Sequence, residues 1–109
     1  MIRVVYDVAN NHVTISGHAG SGPEGHDLVC AAVSALALTL AGNVAYMKAQ
    51  EAVHGEIIKL EEGTAEIKCV PFRKYKDSVA QVMRSVCVGF ELLSTQYPEN
   101  ITYEVWGQG

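Results

Sequence analysis

The sequence predicts an α+β domain, with elements in the order ββαββαβ forming a mostly antiparallel sheet and two packed helices. Three observations predict it. Residues 28–47 form an uncharged run of strong helix formers. Residues 79–97 carry apolar side chains at helical spacing. The segments around these two runs are short, alternate between apolar and polar, and are punctuated by Asn, Gly and Pro.

Residues 2–8 and 13–16 read as strands joined by the turn residues Asn10-Asn11. Asp27 is a good N-cap for the first helix, which then puts Cys30 in the first turn and runs to about Met47. This run nearly has the length of a membrane span, but Ser34, Thr39, Gly42, Asn43 and many alanines dilute it, and a buried core helix is expected. Residues 54–60 and 65–70 form a second hairpin around Glu61-Glu62-Gly63-Thr64. Val79, Val82, Met83, Val86, Phe90, Leu93 and Tyr97 mark the buried stripe of the second helix, which Pro98 stops. Residues 101–106 supply the last strand.

A chain of 109 residues, 49% hydrophobic and 18% charged, has the size and composition of one folded domain with a single core, and intrinsic disorder is excluded. No linker, repeat or low-complexity segment divides it. Three cysteines without paired spacing suit a reducing compartment, and the opening residues alternate like a strand without the apolar core of a signal peptide. A cytoplasmic location is therefore expected, with no membrane partner. The net charge of −4 sets the molecule as a whole against direct nucleic-acid binding, which depends on Lys and Arg.

The chemistry concentrates in Gly17-His18-Ala19-Gly20 and Gly25-His26-Asp27-Leu28-Val29-Cys30. A thiol attacks a carbonyl as thiolate, which needs a base and a positive local potential. A histidine in the glycine-rich loop supplies the first, and a helix start contributes to the second. Gly17, Gly20, Gly22 and Gly25 make the connecting segment a flexible loop that can close over a bound peptide. Backbone N–H groups at the helix start, that of Cys30 among them, are candidate oxyanion donors. On residues alone, the competing reading of Cys30 is a small hydrophobe packed into a core helix.

These two motifs, Gly17 to Gly20 and Gly25 to Ser34, resemble those of the ribosomal-processing cysteine protease family Prp, and the likeness extends over nearly the whole chain. The resemblance implies a bacterial cytosolic endopeptidase that removes a short N-terminal extension from a large-subunit ribosomal protein, number twenty-seven of its series. It makes Cys30 the nucleophile and His18 the general base, with Asp27 and Ser34 in support. His26 holds a variable position of the motif. Apolar or aromatic substrate specificity is also implied.

Other functions and residues carry plainer readings. A zinc site built from His18, His26, Asp27 and Cys30 would lack the close, recurring ligand spacing of such sites, and neither metal nor cofactor is expected. A noncatalytic ribosome-assembly or peptide-binding module is the other alternative. Cys69 and Cys87 read as core thiols, and His12 and His54 as solvated surface residues. Phe72 and Tyr75, beside Arg73, Lys74 and Lys76, read as a solvated helix entry able to contact a partner. The alanine-rich first helix permits close backbone approach, from which a homodimer is expected.

Overall fold

The computed structural model describes residues 1–17 and 26–107, without the side chains of His26 and Asp27. Its elements are β1 (Ile2–Asp7), β2 (His12–Ser16), α1 (His26–Ala49), β3 (Val53–Glu61), β4 (Thr64–Pro71), α2 (Lys76–Gln96) and β5 (Ile101–Trp106). The predicted ββαββαβ order is the observed one. The sheet runs β3-β4-β2-β1-β5, antiparallel except for the parallel pair β1 and β5.

Alternation along the strands gives the sheet two unlike faces. Ile2, Val4 and Tyr6 of β1, with Val13, Ile67 and Ile101, point into the core beneath the helices. The opposite register positions are mostly polar, with Val5 and Trp106 among them. Arg3 is paired with Glu104 at 3.2 Å, and His12 Nε2 lies 2.8 Å from Glu66 Oε2. His12 is thus half-buried and hydrogen-bonded rather than a solvated turn residue. The first hairpin also differs from a simple Asn-Asn turn. Val8–Asn10 form one 3-10 turn, and Asn11 takes a left-handed conformation at φ 48°. Asn tolerates that region better than most side chains.

Residues of α2 at 79, 83, 87 and 90 are buried, one stripe at helical period. Cys87 belongs to that stripe and Cys69 lies against it, with Cys69 Sγ 3.9 Å from Met83 Sδ. Both are core thiols, as expected. α1 is apolar on all sides. Val29, Leu40 and Val44 are fully buried in the core, whereas Leu28, Leu38 and Tyr46 stand exposed. The helix begins at His26. Asp27 therefore lies inside its first turn instead of capping it, and Cys30, as the fifth residue, lies in the second turn.

Burial shifts several acids in one direction. It pushes the Cys69 thiol up to about 11 and the Cys87 thiol and Tyr6 phenol up to about 12. In the unfolded chain these groups lose protons at lower pH, so the folded state holds more protons above about pH 9 and stability falls as pH rises from there toward 12. Urea unfolding at a series of pH values should show a plateau below about pH 8 and a decline above about pH 9. A midpoint constant to pH 11 would contradict the burial of these groups.

Candidate active site

β2 ends at Ser16, and the next residue fixes how the chain leaves the sheet. Gly17 has φ +93°, a region L side chains rarely adopt, and a Cβ there would run into the Met1 carbonyl oxygen. Its N–H donates to the Gly63 carbonyl at 2.9 Å, tying the end of β2 to the turn between β3 and β4. Gly17→Ala is expected to cost about 1–3 kcal/mol in urea unfolding. A variant as stable as the parent would contradict this close approach.

The anchored turn forms one wall of a groove of about 410 Å³. Cys30 and Ser34, one helical turn apart on α1, line the other wall, and Gly17 lines the groove as well. Ile2, Ile15 and Val33 make its apolar floor, while Glu61 and Glu62 stand on its rim. Cys30 is half-buried, Ser34 is exposed, and the thiol can be reached by a ligand in the groove.

The three cysteines divide sharply by environment. Cys69 and Cys87 are each 1% exposed and their thiols are held protonated by burial. Only Cys30 of the three opens onto a groove. The reading of Cys30 as a packed core residue is therefore only half met, since one side contacts the core and the other faces the groove.

Of the residues predicted to act with Cys30, the structure brings Ser34 and Gly17 to the same groove. His18, Gly20, Gly22 and Gly25 lie outside the described residues, and Asp27 is described by its backbone position alone. The second-turn position of Cys30 changes the oxyanion expectation. An N–H there belongs to the helix's own i→i−4 ladder, so the unsatisfied donors lie ahead of it, those of residues 26–28 among them. The groove's far wall was not among the sequence candidates. Glu61-Glu62-Gly63-Thr64 read locally as a turn, and only the sheet order sets that turn opposite Cys30.

A half-buried thiol near a helix start, on a groove, has the setting that the nucleophile of a thiol-dependent hydrolase needs. The comparison with known proteins narrows this class to a family. The model of the cysteine protease Prp matches residues 1–102, and the chain belongs to that cysteine protease family. The essential ribosomal processing protease Prp of S. aureus, in complex with a covalently linked product peptide, superposes with a TM-score of 0.71 at 26% identity over 96% of this chain and 99% of that one. The S. aureus protease with a substrate peptide gives 0.71 at 25% identity over the same shares, 96% and 99%. SMU.848 from Streptococcus mutans shares the fold, with a TM-score of 0.66 at 24% identity over 98% of this chain and 93% of that one. No curated protein sequence matches the chain.

Proposed function

We infer that this cysteine protease removes the short N-terminal extension of large-subunit ribosomal protein number twenty-seven, with Cys30 as nucleophile and His18 as general base and acid. The observation that carries the reading is the half-buried Cys30 thiol on a groove bounded by Gly17, the residue preceding His18. The S. aureus protease in complex with a product peptide and with a substrate peptide supports a peptide substrate.

The chemistry runs in two halves. Cys30 Sγ, as thiolate, forms a bond to the scissile carbonyl carbon, and first-turn N–H groups stabilise the oxyanion. The C–N bond breaks as the His18 imidazolium gives its proton to the leaving amine. His18, now neutral, takes a proton from water, whose oxygen attacks the thioester carbonyl. The S–C bond then breaks, releasing the product as a carboxylic acid, which loses its proton to solvent, and regenerating thiolate and imidazolium. Asp27, next to the dipole's positive end, holds the helix start, and Ser34 borders the nucleophile.

Acid quenching during turnover of a precursor peptide tests the covalent step. Mass spectrometry should find the N-terminal extension attached to the tryptic peptide containing Cys30. Turnover without any adduct there, at a rate unaltered in His18→Ala, would remove both residues from these roles.

The same reading includes a cytoplasmic homodimer. Free thiols suit a reducing compartment. Leu28 and Tyr46 are 62% and 71% exposed on α1, an apolar face that a second copy can cover. Light scattering should give a dimer that Tyr46→Glu converts to monomer. A monomeric parent at micromolar concentration would exclude this interface.

A further inference from the structure

At the far end of α1 the surface changes character. Half of the chain's eight Lys and Arg residues gather there, Lys48 from α1 and Arg73, Lys74 and Lys76 from the entry to α2. The Phe72 N–H donates to the Ala52 carbonyl at 3.0 Å, which holds the two segments together. Lys48 and Lys74 line a shallow depression of about 750 Å³ with His54, Phe72 and Tyr75. Phe72 is 44% exposed and Tyr75 36%. At 1.5 Å per residue along α1, Lys48 lies about 27 Å from Cys30, so this surface is separate from the cleavage groove.

Two of these cations have partners other than carboxylates: Lys48 Nζ donates to the His54 carbonyl at 3.5 Å, and Lys74 Nζ lies 5.4 Å from the Tyr75 ring centroid. Arg3, Lys59 and His12 each face a carboxylate within 4 Å, whereas none of the four cations of this cluster has an ion-pair partner among the described residues. Three of them flank the start of α2, where a helix dipole favours anions and disfavours cations. Glu51 lines the depression and Asp77 lies in the first turn of α2, which leaves the cations in excess. A chain of net charge −4 thus has one end of opposite sign.

The rings decide which anion fits. A carboxylate-rich peptide needs only the cations, but exposed aromatic side chains interleaved with Lys and Arg match a strand whose bases stack while its phosphates are neutralised. We propose that Lys48, Arg73, Lys74 and Lys76 with Phe72 and Tyr75 form a docking surface for single-stranded RNA. The net charge of the whole chain conceals this surface, because all but a few of the carboxylates, Glu51 and Asp77 being the near ones, lie elsewhere.

Fluorescence anisotropy with a labelled ten-nucleotide oligouridine tests it, using the full chain and titrating salt. Three to four phosphate contacts predict a slope of about −2 to −3 in log K against log salt. The double variant Lys74→Glu/Lys76→Glu should lose about tenfold or more in affinity and flatten that slope by about 1.4. Phe72→Ala and Tyr75→Ala should each lose roughly tenfold with the slope unchanged. Arg84→Glu, the same charge change as Lys74→Glu alone but placed on α2 away from the cluster, should bind like the parent. Absence of binding at low salt, or equal losses in Arg84→Glu and Lys74→Glu, would overturn the proposal. Displacement of the RNA by polyglutamate of equal charge as effectively as by unlabelled oligouridine would overturn it in favour of an acidic peptide. Peptide cleavage is a separate readout, and the Lys74→Glu/Lys76→Glu variant should retain it, so failure of the RNA surface and failure of the protease reading are distinguishable.

Discussion

Cys30→Ala is expected to lower precursor-peptide cleavage by on the order of 10⁴-fold or more while costing about 1 kcal/mol or less of stability. The asymmetry follows from where the thiol sits. One side of Cys30 contacts the core and the other opens onto the groove, so its removal leaves a gap that solvent can fill. Cys69→Ala and Cys87→Ala should behave in the opposite way. Both thiols are 1% exposed, and deleting either leaves an internal cavity expected to cost about 1–2 kcal/mol with cleavage intact in the folded fraction. Measuring turnover and urea midpoints for the three variants separates nucleophile from packing. Cleavage persisting in Cys30→Ala would end the assignment, as would its loss in a well-folded Cys87→Ala.

Phe90→Ala should produce the largest loss of stability, about 3–5 kcal/mol. Phe90 is the bulkiest of the fully buried side chains and sits on the α2 stripe under the sheet. Against a typical total of about 5–15 kcal/mol, such a loss leaves the fold marginal, and the melting temperature should drop by about 12–20 °C. Leu92, on the same helix but 60% exposed, is the internal control. Leu92→Ala should stay within about 0.5 kcal/mol of the parent. Comparable effects at the two positions would contradict the packing of α2 described above.

What could be read in the sequence depended on how local its cause was. Residues 101–106 are the strand that the alternation marks, and Val79, Met83 and Phe90 are buried as their spacing requires. These depend on periodicity within one segment. The start of α1 was displaced because Asp favours both the N-cap and the first turn, so residue type alone cannot separate a cap at Asp27 from a helix beginning at His26. His12 meets Glu66 across 54 positions, which no turn signal encodes. The groove needs the same long-range knowledge. Cys30 was legible from its motif, but its opposite wall follows from β4 pairing with β2, which brings Gly63 to Gly17. The basic and aromatic surface likewise needs the contact between Phe72 and Ala52 that joins the end of α1 to the entry of α2.

The most direct test of the central claim is mass spectrometry of the ribosomal precursor peptide, carrying its N-terminal extension, after incubation with the purified protein with and without a chelator. Cleavage at a single bond that survives the chelator and stops when Cys30 is alkylated is the expected result. An intact peptide under conditions where the protein is folded and its Cys30 thiol free, or cleavage that alkylation of Cys30 leaves unchanged, would contradict it.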